Sequence, residues 1–600
     1  MAEKYVSIRN LKFLLHEVFQ ASNLNQFERF QDYDKEAFDF ALEAAKQIGD
    51  TYLFPFYQEM DKNKVRCENG TVITHPALAK AIKALGDGGW ISAIADYDEG
   101  GQQMPWTLLQ SCLFVFYAAN VNAAAYAFLT QAAAGLIRSF GEESLKNRFV
   151  PSLLTGTWQG TMALTEPQAG SSLSDVVSTA TPTKEDYFKI KGQKIFISGG
   201  DHEDVENVVH LLLARIKGAP AGTKGISLFV VPKKRLENGS LVGNDVTTAG
   251  VFGKMGQRGY VAAHLMLGEN DDCRGWLLGK AHNGLPYMFQ MMNEARIGTG
   301  NMAAAMASAA YYASLQYANE RLQGRHPSKK DAMQPQVLII EHADVRRMLL
   351  FQKAVAEGSI SLLLQCSYYG DLSHEATNEE DRKKAHLLLE LLTPIAKSYP
   401  SEMGNLAVSA GMQVLGGAGY TNDFPLEQYY RDIRVNAIYE GTTGIQGLDL
   451  LGRKVMLEKG KALKLFLIEV KKTIATAADS DQTNVFGEKL GEAAKSLHEV
   501  TLHLVGEAMQ NPPEVFLADA TLYLEFFGHI AVGWQWLKQG IVAAKALEAG
   551  ATGDEFNFYS GKIFTMKYFF EYELPKTKSL QERLLSEEKV TLDIKKEFLN

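Results

Sequence analysis

A block of strand-like sequence between two helical regions is the feature that most constrains the fold. Residues 158–280 carry β-branched and aromatic runs, separated by turn signals such as Gly199-Gly200 and Asn238-Gly239. The predicted strands cover 187–197, 208–216, 225–232 and 260–267. Because no helical pattern lies between them, we predict a central antiparallel β domain and not repeated βαβ units.

Helical periodicity surrounds this block. Apolar residues recur at helical spacing over 34–48, and again over 285–323. Six hundred residues exceed the usual size of one core, so several domains are expected. The predicted fold is mainly α with a central antiparallel β domain. Its four parts are an N-terminal helical domain at 1–157, a middle β domain at 158–282, a C-terminal helical bundle at 283–462 and an extra helical domain at 463–600.

Charge and cysteine usage narrow the class of partner. The net charge of −9 disfavours nucleic acid or an anionic membrane, since both attract clustered Lys and Arg. The four cysteines form no CxxC pair, which is typical of a reducing compartment and provides no metal framework. The first 17 residues lack the apolar core of a secretory signal. We therefore expect a soluble, cytoplasmic protein, with peripheral membrane contact left open.

One uncharged stretch, residues 105–137, is long enough to cross a bilayer. It contains the polar residues Gln110, Asn120, Asn122 and Gln131, which would be costly in lipid. We predict two tightly packed internal helices, broken near Asn120, and no transmembrane segment.

Two motif matches favour ordinary structure over chemistry. Residues 298–303 satisfy the dinucleotide fingerprint GxGxxA, but the preceding sequence looks helical where the fingerprint requires a strand. Small residues there more simply allow close helix packing. His498 and His503 are five residues apart and so point to different faces of a helix, which argues against a zinc site.

Four other segments are each compatible with a plain turn or with a ligand site. They are a Gly–Ser loop at 164–172, a strand end at 194–200, a glycine turn at 412–420 and the octet 439–446. The octet places one carboxylate, Glu440, between an aromatic residue and a glycine. Such a carboxylate is a candidate base, although the octet alone could be a helix start.

In this order the four segments resemble the acyl-CoA dehydrogenase family. The matches are TEPxAGS at 165–171, aromatic-Ile-Ser at 196–198, Gln followed by two glycines at 413–417, and Tyr-Glu-Gly-Thr with a closing Ile-Gln at 439–446. The resemblance covers about residues 30–460. The tail is similar to that of a longer branch, which includes long-chain enzymes and 3-methylmercaptopropionyl-CoA dehydrogenases. This resemblance implies a helical domain, a β-barrel domain and a four-helix bundle, followed by a C-terminal helical extension.

The resemblance also implies a reaction. An acyl-CoA thioester is dehydrogenated at its α and β carbons to a trans-2-enoyl-CoA. Glu440 abstracts the α-proton, and FAD accepts the β-hydride. The backbone N–H of Glu440 and a ribityl hydroxyl of FAD hold the thioester oxygen as enolate character develops. Exclusion of water is expected to raise the pKa of the carboxyl group.

Contact residues carry over by position. The FAD contacts implied are Leu164, Thr165, Ser171, Phe196, Ser198, Arg321, Gln413, Gly416, Gly417, Thr442 and Gln446. The substrate contacts implied are Ser171, Asn293, Arg296, Tyr439 and Gly441. The chain departs from the family pattern at Asn293, often Asp, at 322–324, and at Gly444, often Gln.

Partners follow from the same resemblance. Arg321 and Gln413 match residues that reach the FAD of a neighbouring subunit, so at least a homodimer is expected. An electron-transfer flavoprotein is the expected electron acceptor. The alternatives are an acyl-CoA oxidase that uses oxygen, a non-catalytic flavin-containing DNA-binding relative, and a helical scaffold without a cofactor. The net charge and an intact Glu440 argue against the DNA-binding relative.

Overall fold

The computed structural model describes residues 4–328, 331 and 333–600, without the side chains of Gln290 and Met291. It divides into two compact units. The sheet unit comprises Leu42–Met104 and Val115–Ala295. The bundle unit comprises Met1–Ala41, Pro105–Phe114 and Arg296–Asn600.

Helices make up most of the described chain. Before the main sheet they are α1 (Ile8–Lys12), α2 (Lys35–Ile48), α3 (Tyr57–Lys62), α4 (Ala77–Asp87), α5 (Trp106–Phe140) and α6 (Glu143–Leu154). After it they are α7 (Gly284–Glu320), α8 (Ala343–Glu375), α9 (Glu379–Leu415), α10 (Leu426–Ile433) and α11 (Thr443–Gly452). The C-terminal extension adds α12 (Lys461–Ala477), α13 (Asn484–Gln510), α14 (Pro513–Leu517), α15 (Ala520–Glu548), α16 (Gly553–Tyr568), α17 (Lys576–Leu584) and α18 (Val590–Asp593).

The sheet unit is built on eight strands, with two small hairpins beside them. The strands are β1 (Arg66–Glu68), β2 (Thr71–Ile73), β3 (Trp158–Ala163), β4 (Thr179–Pro182), β5 (Phe188–Ser198), β6 (Asn207–Ile216), β7 (Ile226–Pro232), β8 (Lys234–Glu237), β9 (Ser240–Gly243), β10 (Val246–Val251), β11 (Ala262–Leu267) and β12 (Arg274–Leu277). The main sheet runs β10-β11-β5-β12-β7-β6-β3, and β4 pairs with β5 and β6. Its pairings are antiparallel except that β3 and β4 each run parallel to β6, which makes it a mainly antiparallel sheet with one mixed region.

The apolar residues of β6 form part of the core of the sheet unit. Val209, Leu211 and Leu213 alternate along β6 and enter one apolar cluster with Trp158 and Phe149. The residues between them are buried as well, so β6 is covered on both faces, and its sequence is a nearly continuous apolar run.

Helix α5 confirms the predicted break in the long uncharged stretch. Asn120 has extended backbone angles (φ −165°, ψ 94°) within an otherwise helical run. Its side-chain oxygen accepts a hydrogen bond from the Asn122 N–H at 3.1 Å, and its amide donates to the Leu53 carbonyl at 3.1 Å. By length and composition α5 could cross a membrane, but 94% of its most apolar window is buried within the protein.

Gly300 serves helix packing, as predicted for the small residues at 298–303. A Cβ atom placed on Gly300 of α7 would lie 2.0 Å from the Ala396 carbonyl oxygen of α9. The two helix backbones therefore approach too closely for any side chain. The fingerprint match is thus explained without a nucleotide.

The extension packs directly behind the octet. Helix α15 carries buried side chains around its whole circumference, including Phe527 and Trp536, as expected for a central helix. It also meets α11, where a Cβ on Gly447 would lie 2.7 Å from the Ala520 carbonyl oxygen. The helix that follows Glu440 is therefore held in place by the extension.

The start of α5 depends on a carboxylate from α8. The buried Asp371 accepts hydrogen bonds from the Trp106 N–H at 2.7 Å and the Thr107 N–H at 2.9 Å, and from the Thr107 hydroxyl. We expect Asp371→Ala to lower the free energy of unfolding by about 2 kcal/mol, since it strands two helix N–H donors in the interior. Asp344→Ala is the control, because Asp344 pairs with Arg347 on the exposed face of the same helix. Equal unfolding temperatures for the two variants would contradict the capping role.

Candidate active site

The first four residues of the octet, 439–442, form a tight loop after a short 3-10 helix, Arg434–Ala437, and the last four form the first turn of α11. Glu440 and Gly441 both adopt left-handed backbone angles, with φ of +54° and +85°. A non-glycine residue there is strained, and such strain concentrates at functional sites. The backbone carbonyls of these two residues each accept a hydrogen bond from a side chain. Gln446 Nε2 donates to Glu440 O at 3.0 Å, and Lys397 Nζ donates to Gly441 O at 2.8 Å.

The surroundings of Glu440 favour its neutral form more than water does. Glu440 is half-buried, and this desolvation raises its pKa above the ordinary value. The positive charges of Arg296 and Lys397 act in the opposite direction. Arg296 is itself buried and donates to Asp449 at 2.9 Å, so its charge is shared with a second carboxylate. With a raised pKa, this carboxylate is better suited to take up a proton than a glutamate in water.

Tyr439 contributes packing beside the carboxylate. Its hydroxyl donates to Asn436 Oδ1 at 2.9 Å and lies 3.3 Å from the Met302 sulfur. Burial, together with the charge of Glu440, raises the pKa of the phenol. The tyrosine is therefore neutral and fixes the entry to the loop.

Thr442 and Gln446 connect the loop to α11. Thr442 caps this helix by accepting from the Ile445 N–H at 3.3 Å. Gln446 is fully buried, and its Oε1 has no hydrogen-bond partner among the described residues. A buried acceptor without a donor is costly, so this atom is suited to a hydroxyl or amino group of a bound molecule.

In the sheet unit, a buried ion pair fixes the loop at 164–172. Lys194 Nζ lies 2.7 Å from Glu166 Oε1, with exposures of 0% and 1% for the two side chains. The ammonium also donates to the Leu164 carbonyl at 3.0 Å and the Leu213 carbonyl at 2.7 Å. Burial lowers the pKa of Lys194 to about 8, against the pull of Glu166. The pKa of Glu166 is lowered, since the adjacent ammonium outweighs its burial.

A β-bulge presents Phe196 to the outside. Lys194 pairs with Leu265 and Ile197 pairs with Ala263, so two residues of β5 oppose one of β11. The extra residue reverses the alternation. Phe196 takes φ +58°, is 57% exposed and lies against Phe252, with ring centroids 4.3 Å apart.

The other predicted residues occupy two kinds of position. Thr165 and Ser198 are half-buried near this bulge, where the Ile195 N–H donates to the Thr165 carbonyl at 2.9 Å. Asn293 is also half-buried. The exposed set comprises Ser171, Arg321, Gln413, Gly416 and Gly417. The structure thus gathers residues 296 and 439–446 in the bundle unit, and residues 164, 165, 196 and 198 in the sheet unit.

Three charged residues of these sites were not predicted. Lys397 and Asp449 lie beside the octet, and Lys194 lies behind the loop at 164–172. A signal exists for Lys397, which is a single cation in an apolar stretch of α9 between Pro394 and Pro400. Such a cation must be paired if the stretch is buried.

Comparison with known proteins shows the family to which the chain belongs. Profiles described as the acyl-CoA dehydrogenase N-terminal, middle and C-terminal domains match residues 39–157, 161–268 and 282–456. A fourth, described as acetyl-CoA dehydrogenase C-terminal like, matches residues 466–595. A butyryl-CoA dehydrogenase of Syntrophomonas wolfei is 33% identical over 590 residues, which is 96% of this chain and 95% of that protein. The chain belongs to the acyl-CoA dehydrogenase family.

Two further members of the acyl-CoA dehydrogenase family illustrate the extent of the match. The 3-methylmercaptopropionyl-CoA dehydrogenase of Ruegeria pomeroyi is 34% identical over 573 residues, covering 94% of this chain and 95% of that protein. The crystal structure of a Bacillus anthracis acyl-CoA dehydrogenase complexed with FAD has a TM-score of 0.74 at 20% identity, covering 96% of this chain and 92% of that one. The predicted family, fold class and enzyme class are confirmed, and with them FAD as cofactor.

Each unit, taken by itself, carries residues that suit part of a flavin dinucleotide, the cofactor of this family. Phe196 offers an open aromatic face, and Gln446 Oε1 offers a buried acceptor. Among the described residues, no atom lies within 4 Å of the Cβ positions of Gly416 and Gly417, so that turn is open to a ligand. These features supply a flat surface, a polar contact and accessible backbone.

Proposed function

We propose that this protein dehydrogenates an acyl-CoA thioester to a trans-2-enoyl-CoA with FAD, and that Glu440 removes the α-proton. The main support is Glu440 itself, a half-buried carboxylate with a raised pKa in a strained backbone conformation. A general base works best when its pKa approaches the working pH. A surface glutamate at a helix start would have neither property.

The chain's own groups perform the proton transfer. Glu440 accepts the proton and becomes neutral, while Arg296 and Lys397 stabilise the charged form that precedes it. The backbone N–H of Glu440 is the proposed donor to the thioester oxygen, where negative charge develops. The next two peptide groups of the loop are anchored through their carbonyls by Gln446 and Lys397, which limits backbone rotation on the C-terminal side of Glu440.

FAD, when bound, supplies the acceptor for the hydride that leaves the β-carbon. Its proposed contacts are those of the family pattern: Leu164, Thr165, Ser171, Phe196, Ser198, Thr442 and Gln446 from one subunit, with Arg321, Gln413, Gly416 and Gly417 serving the neighbour. The substrate contacts proposed are Ser171, Asn293, Arg296, Tyr439 and Gly441. Exposure of Arg321, Gln413 and the two glycines supports a role between subunits, and hence at least a homodimer.

The test is a panel of acyl-CoA esters assayed anaerobically with an artificial electron acceptor. Butyryl-CoA and 3-methylmercaptopropionyl-CoA belong in it because relatives carry those names, together with longer linear chains. We expect a product that has lost two hydrogen atoms, detected by mass spectrometry. Turnover in a parallel aerobic assay without an added electron acceptor would favour an oxidase. Colourless protein that cannot be reconstituted with FAD would refute the proposal.

An electron-transfer flavoprotein is the proposed physiological acceptor, and the cytoplasm the proposed location. In the same assay the flavoprotein would replace the artificial acceptor at micromolar concentration. Strong, salt-dependent binding of duplex DNA without turnover would instead indicate the DNA-binding relative.

A further inference from the structure

We propose that Lys397 is a positioning residue for Glu440: its ammonium anchors the Gly441 carbonyl and sets a positive charge beside the carboxylate. This inference rests on the proposed function, because it assigns Glu440 the role of base. It assigns to α9 a part in the chemistry that the octet itself does not reveal.

The first support is the geometry of the anchored loop. Glu440 and Gly441 are successive left-handed residues, and their carbonyls are held by donors from two different helices. Gln446 of α11 holds the first at 3.0 Å, and Lys397 of α9 holds the second at 2.8 Å. A conformation this strained persists only when its surroundings fix it. Lys397 is the anchor that ties the loop to a long, rigid helix.

The second support is the charge arrangement. Lys397 is fully buried on α9, and Glu440 and Glu402 are the carboxylates that act on it. Glu402 also accepts a hydrogen bond from the Thr443 hydroxyl. From α7, Arg296 faces the same group but is paired with Asp449 of α11. Neutral Tyr439 completes the surroundings of Glu440. Arg296 has the larger effect on the pKa of Glu440 but is fixed in an ion pair, whereas Lys397 also holds the backbone of the loop that carries Glu440.

The third support is the free-energy cost of burying the charged Lys397 side chain. An isolated ammonium is expensive to bury, and an apolar side chain of similar length often stabilises such a position. Burial lowers the pKa of Lys397 to about 8, with Glu440 and Glu402 acting to raise it. A charge kept at this expense beside a catalytic carboxylate points to a role in that carboxylate's ionisation.

The experiment compares the pH dependence of kcat/KM in FAD-loaded wild type, Lys397→Met and Lys397→Arg. Glu440 must be ionised to act, and the Lys397 charge favours the ionised form. Removing that charge should therefore raise the pKa of Glu440, moving the acidic limb of the profile to higher pH by about one unit. Lys397→Arg keeps the charge and should keep the limb within about 0.3 units of wild type.

Two controls separate a positioning role from general destabilisation. Lys538→Met removes a half-buried lysine that donates to Gln365 on α8, and it should leave the acidic limb in place. FAD content and unfolding temperature show whether each variant is folded. If Lys397→Met does not hold FAD, Lys397→Gln takes its place, since it removes the charge with a polar side chain. A limb at the wild-type pH in the uncharged variant overturns the inference, and so does an equal shift in Lys538→Met.

The outcomes also distinguish this inference from the proposed function. A Glu440→Gln variant that is inactive at every pH supports Glu440 as the base, whatever Lys397 does. Active Glu440→Gln refutes the base assignment and the inference together. Inactive Glu440→Gln with an unshifted Lys397→Met profile refutes the inference alone.

Discussion

Replacing Glu440 with glutamine should lower turnover by about 10²–10⁴-fold while FAD stays bound. Glutamine has nearly the same shape but cannot accept a proton at the working pH. Its main-chain carbonyl can still receive the Gln446 hydrogen bond, so the loop is retained. Single-turnover reduction of the flavin, monitored through the change in flavin absorbance, measures the rate of the chemical step directly.

Glu458→Gln is the matched control for this experiment. Glu458 also has a left-handed backbone, with φ +47°, but it is exposed and pairs with Lys383. The same substitution there should leave turnover unchanged. In wild type the acidic limb of kcat/KM should lie above pH 4.5, because burial raises the pKa of Glu440 from that value. A Glu440→Gln variant as active as Glu458→Gln would remove Glu440 as the base.

Replacing Lys194 with methionine should lower the free energy of unfolding by about 3–5 kcal/mol, since it leaves the buried Glu166 carboxylate without its partner. The loop at 164–172 should also open, because Lys194 holds the Leu164 carbonyl and Glu166 accepts from the Ser178 N–H at 3.1 Å. Denaturant unfolding measures the loss of stability. Hydrogen exchange of residues 164–172 measures the loop, and FAD retention should fall with it.

Lys189→Met on the same strand is the control for Lys194→Met. Lys189 pairs with Asp271 at 2.8 Å on the exposed surface, where solvent screens the ion pair and its loss should change stability little. The double variant Lys194→Met with Glu166→Gln should recover part of the loss, because it removes both charges. Equal stabilities for the two lysine variants would show that the buried pair does not hold the loop.

The order of helices and strands could be predicted because the two kinds of element have different patterns of apolar residues. Strand β6 is a nearly continuous apolar run bounded by turn residues, and the break at Asn120 follows from an amide within an apolar run. The family and its fold followed from the order of four motifs. The roles of individual site residues stay predictions, since only ligand binding or kinetics can test them.

Structural features that depend on contacts between residues far apart in the sequence could not be predicted. The outward direction of Phe196 arises from a bulge against β11, and strict alternation would have placed it on the face of the buried Lys194. The contact between Lys397 and the Gly441 carbonyl joins residues 44 positions apart. Local sequence shows only that a lysine lies in an apolar helix. Which backbone group it binds depends on how α9 packs against the loop.

The contact between α11 and α15 limits how this chain can be recombined. Gly447 has no room for a side chain because the Ala520 backbone lies against it. A chimera that joins this extension to the bundle of another family member would need a glycine at the equivalent point. Without it, the graft would be displaced and would push on the helix that carries Thr442 and Gln446. The extension is thus matched to the helix that follows Glu440, and exchanging it as a module would require a glycine at this contact.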